Sequence, residues 1–301
     1  MEETVLYRKL RPMTFERVIG QDLVVNALKN QIINNRISHA YLFFGIRGTG
    51  KTTVARIFAR AINCENPKNG NPCNECPTCR RIIDGRTSLV IEWDGSTNGK
   101  IDDVRDIQDY VHNAPMDGKY RVFIIDEIQM MRKHALNAFL KTLEEPPRYV
   151  VFILATTELK NIPSTITSRC QQYDFKRISN KMIIEQLREI SVSKGITVEE
   201  NALKRIASLS EGSMRDALSL YDRVDAMVNS NSISLDETLE ALGRVDTSIY
   251  AECVRNSLNG RAVSNVTLFN LSMDKGISEE QFLADFIWYL KNLYLYRLSE
   301  S

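Results

Sequence analysis

Apolar positions follow two rhythms along this chain, and the change falls near Lys176. Before it, short and nearly unbroken apolar runs alternate with stretches of helical period. Residues 41–44 (YLFF), 88–93 (SLVIEW), 120–125 (YRVFII) and 150–155 (VVFILA) are runs of the kind that parallel strands covered on both faces show. QQYDF at 171–175 reads as a further strand. Between them, the spacing predicts a helix beginning around Gln21 and Asp22 with Asp22 as its cap, one through VARIFARAI, one ending at Val111, and one over 133–143 that Pro146 and Pro147 stop. Strands alternating with helices predict an α/β domain with a parallel sheet. After Lys176 every period is helical: 181–194, 199–209 and 214–228 form three amphipathic helices joined by short turns, and a third helical region follows Gly243. In that region 282–298 carries apolar residues at 282, 286, 290 and 293, and its Trp288 and tyrosines read as core or as a surface for another helix. The chain divides on this pattern into 1–178, 179–242 and 243–301, and its 301 residues suffice for two or three domains.

The first strand runs directly into Gly45-x-x-x-x-Gly50-Lys51-Thr52, which matches the P-loop pattern G-x-x-x-x-G-K-[ST]. Gly45, Gly48 and Gly50 let the backbone turn its N–H groups inward, and the helix starting near Lys51 aims its positive end at the same spot. Thr49 and Thr53 belong to the same cradle. A triphosphate such as ATP fits there, with Lys51 reaching the outer phosphates and the Thr52 hydroxyl serving as one ligand of Mg²⁺. A Gly-rich strand-to-helix turn alone would be the blander reading, but the apolar strand before it and the helix after it favour nucleotide. The run 120–125 ends in Asp126-Glu127, a Walker B arrangement: Asp126 holds magnesium through water, and Glu127 orients and deprotonates the attacking water. Acids are also favoured at any helix N-terminus, which is the alternative for this pair. Thr156 and Thr157 end the next strand, and ligands of parallel sheets bind outside the carboxyl ends, so their hydroxyls face the same phosphates. In isolation the basic and aromatic lead-in Tyr7-Arg8-x-x-Arg11-Pro12 reads as a surface arm, but its position ahead of a P-loop module points to closure over the adenine. Pro163 opens a short helix that finishes in Ser168-Arg169-Cys170, where Arg169 complements the negative helix end on the simplest reading.

Charge and cysteines change the picture in two ways. Lysines and arginines number 39 and acids 38, a formal net charge of +1, so any nucleic-acid contact is a local patch and not a basic coat. No apolar run reaches membrane-spanning length and the N-terminus lacks an apolar signal region, which makes the cytoplasm the default. In that reducing compartment the group Cys64-x8-Cys73-x2-Cys76-x2-Cys79 reads as a metal site. Four thiolates in a loop poor in apolar side chains suit a closed, structural Zn²⁺ site. An iron–sulfur cluster also uses C-x2-C-x2-C, but the C-x3-C-P that completes that run is missing.

Taken together, LYRKLRPMTF, GIRGTGKTT, the cysteine spacing, DEIQMM, KTLEEPP, LATTE, SRC and GSMRDALSL resemble the gamma/tau subunits of bacterial DNA polymerase III, clamp-loader motors of the AAA+ ATPase class similar to eukaryotic replication factor C. The resemblance covers residues 4 to 243 with the motifs in order. It implies an AAA+ ATPase domain with an inserted zinc loop, a helical lid over 179–242, and part of a collar domain over 243–301, the whole collar being longer than the residues after Gly243. It further implies that Thr157, or its neighbour Thr156, is the first sensor, that Arg215 is a second sensor touching the phosphates, and that Arg169 is an arginine finger inserted into a neighbouring subunit's ATP site. Tyr7, Arg11, Val18 and Met214 would surround the nucleoside. Two residues depart from the family's pattern: Ile46 in the P-loop, and Gln129 where a His usually follows Walker B. The implied function is ATP-driven loading of the sliding clamp onto primer-template DNA within a hetero-pentamer, as part of the polymerase holoenzyme but with no polymerase site in this chain. Lys100, Arg105 and Lys141 are the candidates for DNA contact. A small-molecule P-loop kinase would use arginines in cis and need no Glu127, and a non-hydrolysing structural subunit would lose Lys51, Thr52, Asp126 and Glu127, all of which are present.

Overall fold

The computed structural model describes residues 5–97, 110–115, 117–228, 231–243, 245–274 and 276–299. The apolar runs become strands β1 (Ala40–Gly45), β2 (Val90–Asp94), β3 (Arg121–Asp126) and β4 (Val150–Thr156), and QQYDF becomes β5 (Gln171–Phe175). They form one parallel sheet in the order β2-β3-β4-β1-β5. The central strand β4 is buried at every position and β3 at all but Asp126, which is why neither shows a two-residue alternation in its sequence. β2 starts later than 88–93 predicts. Leu89 is still buried, and its carbonyl accepts from the Val122 N–H at 2.7 Å, but the ladder itself begins at Val90.

Both faces of the sheet are covered. On β1, Tyr41 and Phe43 point to one side, where they meet Val54 and Phe58 of helix Lys51–Asn63 and Leu28 of helix Asp22–Ile33. Ala40 and Leu42 point to the other, where helix Lys133–Glu144 contributes Ala135, Leu136, Phe139 and Leu143. The rings interlock edge to face on each side: Tyr41 and Phe58 have centroids 4.9 Å apart, Phe139 and Phe152 5.1 Å. Rigid packing on both faces fixes the strand ends, and the loops after β1, β3 and β4 emerge on one edge.

The expected cap of the helix beginning near Gln21 is corrected. Helix Asp22–Ile33 has Gln21 in the cap position with no side-chain cap bond, and Asp22 is its first helical residue, adding only a negative charge to the first turn. Gln21 is itself buried and does other work. Its Nε2 donates to the Thr49 carbonyl (3.3 Å) and the Lys176 carbonyl (2.8 Å), and its Oε1 accepts from the Lys176 N–H at 3.2 Å, so it ties the P-loop to the end of β5.

The chain separates into two compact units, Met1–Ile183 with Ser210–Asp216, and Ile184–Leu209 with Ala217–Ser301. The sheet belongs to the first. The expected helices appear as Asn180–Lys194, Glu200–Leu209 and Met214–Val228. Within the second unit Tyr221 is buried and its hydroxyl accepts from Ser191 Oγ at 3.0 Å. A separate apolar core later in that unit gathers Val245, Tyr250, Cys253, Ile277 and Phe282, and helix Glu279–Ser299 leaves Trp288, Tyr294 and Tyr296 exposed. No helix among the described residues is long and apolar enough to cross a membrane.

Candidate ATP site and cysteine cluster

The loop between β1 and helix Lys51–Asn63 takes backbone angles that side chains resist. Gly48 and Gly50 have φ of +79° and +103°, in the region glycine occupies freely. A Cβ on Gly48 would lie 1.9 Å from Ser213 Oγ, so this glycine also lets residues 213–215 approach the loop, and the Met214 N–H donates to the Gly48 carbonyl at 3.2 Å. Thr49 is buried and its hydroxyl donates to the Ile46 carbonyl at 2.9 Å, bracing the turn. Lys51 is 5 % exposed, and its Nζ donates to the carbonyls of Gly45 (2.8 Å) and Ile46 (2.9 Å). Burial lowers its pKa from the usual lysine value, while the carboxylates of Glu127 and Asp126 work in the opposite direction.

Opposite the lysine stand the acids at the end of β3. Thr52 Oγ1 donates to Asp126 Oδ2 at 2.6 Å, and Asp126 Oδ1 accepts from the Glu127 N–H at 3.0 Å. A cavity of about 350 Å³ opens here, lined by Arg11, Gly48, Gly50, Lys51, Thr52 and Thr53 on one side and by Asp94, Asp126, Glu127 and Arg215 on the others. Asp94 is a residue the sequence reading missed. Its signal was present, because it ends β2 in register with Asp126, and the rule of strand carboxyl ends applies to it equally. The oxygen-only pair of Thr52 and Asp126 suits a hard cation such as Mg²⁺, whereas Asp94 lines the cavity with its Oδ1 accepting from the Ser96 N–H at 2.8 Å.

Arg215 places its guanidinium 4.7 Å from the centre of the Tyr7 ring, so the lead-in reaches the cavity edge through a cation–π contact. Val18 is buried in the core beside Phe15, and Met214 is half-buried and meets the P-loop through its backbone. Thr157 Oγ1 donates directly to Glu127 Oε2 at 3.0 Å, while Thr156 is linked to Glu127 through Gln129. Arg169 is not among the cavity's lining residues: it donates to Glu144 Oε1 at 2.8 Å and to the Thr165 carbonyl at 2.7 Å, on the exposed side of helix Ser164–Thr167. Cys170 packs against the apolar core, and burial pushes its thiol up to about 12, which marks it as inert. Lys141 is exposed, and Lys100, Arg105 and most of the helix expected to end at Val111 lie outside the described residues.

The cysteine group gathers as expected. The sulfur atoms of Cys64, Cys73, Cys76 and Cys79 all lie within 4.8 Å of one another, and none forms a disulfide. Zn–S bonds of about 2.3 Å in a tetrahedron put the sulfurs ~3.8 Å apart, a spacing compatible with this cluster. The backbone N–H groups of Cys73, Cys76 and Cys79 donate to the sulfurs of Cys64, Cys73 and Cys76 at 3.3, 3.3 and 3.4 Å, the pattern that stabilises thiolates. Burial opposes ionisation of Cys73, but N–H groups of Glu75 and Cys76 aimed at its sulfur outweigh it and hold the thiol at about 7. The loop also grips the lead-in. Phe15 N–H donates to Asn71 Oδ1 at 2.8 Å, Asn74 Nδ2 and Arg60 Nη2 donate to the Met13 carbonyl at 3.1 and 3.0 Å, and Asn71 donates to Glu16.

Comparison with known proteins settles the lineage. Residues 20–179 match the family described as "DNA polymerase III, delta subunit", and residues 182–229 the "DNA polymerase III clamp loader subunit, ATPase lid domain". The gamma subunit of DNA polymerase III from Buchnera aphidicola subsp. Baizongia pistaciae is 36% identical over 100% of this chain and 81% of its own length. The chain belongs to the gamma/tau family. The delta description stops at residue 179, whereas this gamma relative and a Bacillus tau relative match over 100% and 99% of the chain, so the finer placement rests on them. Tau of Bacillus subtilis (strain 168) is 43% identical over 99% of this chain and 53% of its own length. The gamma/tau-family chain thus spans about half the length of the tau relatives it matches. RuvB of Thermotoga maritima shares the fold, with a TM-score of 0.59, 21% identity and 85% of each chain covered.

Proposed function

We propose that this chain binds and hydrolyses ATP as a motor subunit of a clamp loader, working in the cytoplasm with other loader subunits, the sliding clamp and primer-template DNA. The observation that carries the reading is the meeting of Lys51, Thr52, Asp126 and Glu127 in one cavity, tied by the 2.6 Å bond from Thr52 to Asp126. We propose further that 1–178 is the ATPase domain, 179–242 the lid and 243–301 part of a collar, in line with the lid family matched over 182–229.

In this reading the P-loop N–H groups and Lys51 hold the outer phosphates, and Thr52 and Asp126 hold Mg²⁺. The ion supplies neutralisation of phosphate charge. Glu127 takes the proton of the attacking water, Thr157 fixes that carboxylate, Arg215 contacts the phosphates, and Tyr7 with Arg11 covers the nucleoside. The deciding experiment is the ATPase rate of the full-length chain with and without partner subunits, clamp and primed DNA, and strong stimulation by all three is expected. Lys51→Ala removes one charge-assisted contact worth about 1.5–3 kcal/mol, so ATP affinity should fall roughly 10- to 100-fold by calorimetric titration. Unchanged affinity would sink the P-loop assignment.

The four cysteines are proposed to hold a structural Zn²⁺. Metal analysis should give about one zinc per chain, unaffected by substitution of Cys170 or Cys253, because a closed site needs only its four ligands. Since Asn71 and Asn74 hold residues 13–16, chelation should also speed amide exchange across that segment. A visible iron–sulfur band, or no metal released by chelator, would overturn the zinc assignment.

A further inference from the structure

Glu127 is held in a way that its role as a base alone does not require. Its backbone sits in the left-handed region, φ 48° and ψ 47°, where a residue with a side chain stays only if its surroundings hold it. Its Oε2 accepts two hydrogen bonds, from Gln129 Nε2 at 2.6 Å and from Thr157 Oγ1 at 3.0 Å. Gln129 Nε2 also donates to Thr157 Oγ1 at 3.0 Å, and Gln129 Oε1 accepts from Thr156 Oγ1 at 2.7 Å. Thr156 Oγ1 in turn accepts from the Glu158 N–H at 3.0 Å. The protons in this chain are consistent. Each threonine hydroxyl donates once and accepts once, the carboxylate only accepts, and the amide both donates and accepts, which fixes its orientation.

We infer that Gln129 is a positioning residue for ATP hydrolysis: its amide clamps Glu127 by one carboxylate oxygen to the two threonines that end β4, leaving the other oxygen to face the water. This rests on the reading of Glu127 as the base. A neutral amide suits the task because it serves a carboxylate and two hydroxyls at once without bringing a second titrating group to the base. The short turn Ile128–Met130 puts its side chain back over Glu127, and Ile128, buried in the core, anchors that turn. Any shift of the threonines at the end of β4 therefore moves the base.

The test uses the full-length chain in its assembled, DNA-stimulated complex. Gln129→Met keeps length and bulk without the amide. It should lower kcat about 10-fold, a fraction of the 10²–10⁴ that the base itself contributes, with the KM for ATP and the melting temperature unchanged. Gln129→Glu places a second carboxylate against Oε2, so the pair titrates jointly with one pKa raised. Its rate should fall away at a pH about 1 unit or more above that at which the wild type loses activity, since like charges in one site shift pKa by at least that much. A residue that only supported the fold would not move the pH profile. Wild-type kcat and pH profile in both variants, or a rise in kcat, overturns the inference while a dead Glu127→Gln variant leaves the base in place. Normal turnover by Glu127→Gln removes the base and this inference with it.

Discussion

Glu127→Gln should bind ATP as the wild type does and hydrolyse it 10²- to 10⁴-fold more slowly, the range a positioned general base supplies. The amide has the length and volume of the carboxylate it replaces, and the phosphate contacts assigned to Lys51 and the P-loop glycines are untouched. What is lost is the ability to take a proton from water. The substitution has one local effect beyond this. Glu127 Oε2 accepts from both Gln129 and Thr157, and an amide nitrogen turned toward them would face two donors, so the new side chain must present its oxygen there. That orientation turns its NH2 toward the water, the wrong polarity for a base. Calorimetry with ATP and single-turnover phosphate release on the assembled complex measure the two quantities separately. Unimpaired phosphate release would take Glu127 out of the mechanism, and lost affinity would mean that the substitution disturbs the cradle itself.

The phosphate side of this site was legible because its chemistry is local in sequence: Gly45 to Thr53 is one turn, and Asp126-Glu127 ends one apolar strand. The cysteine group was legible for the same reason, since short spacings between soft ligands leave few other uses. Gln21, Asp94 and Gln129 were harder. Gln21 looks like the start of a helix, yet its work is to join Thr49 to Lys176, residues distant in sequence from it and from each other. Asp94 is a lone acid at the end of β2, and its place at the cavity emerges only when β2 pairs in register with β3. Gln129 stood out as a departure from the family's pattern, but its meaning depends on Thr156 and Thr157 arriving from the neighbouring strand. In each case the information is in pairings between distant segments, which hydrophobic period and local spacing do not carry. The late start of β2 has a similar origin: Leu89 is as apolar as the strand it precedes, and only the ladder distinguishes them.

Arg169→Ala should bind ATP normally and, in the complete complex, lower hydrolysis by 10³- to 10⁵-fold, the contribution of an arginine finger supplied in trans to related phosphoryl transfers. The side chain lies partly exposed past the short helix Ser164–Thr167, pairs with Glu144 and is not among the residues that line its own phosphate cavity. An exposed ion pair of this kind contributes little to stability, so its loss should not unfold the chain and Arg169 can exchange Glu144 for a neighbour's phosphate at small cost. The isolated chain should therefore bind ATP but turn it over slowly. Mixing distinguishes trans from cis action. Chains carrying Arg169→Ala keep an intact P-loop, chains carrying Lys51→Ala keep an intact finger, and at an ATP concentration too low to fill the Lys51→Ala sites an interface that joins the two regains one working site although each variant alone turns over little ATP. Phosphate release from such mixtures, assembled full-length with their partner subunits and primed DNA, should rise with the fraction of mixed interfaces. A wild-type rate for Arg169→Ala alone would end both the finger assignment and the trans mechanism. No recovery in mixtures that demonstrably assemble would leave Arg169 acting within its own chain, most simply through Glu144 on the packing of helix Lys133–Glu144.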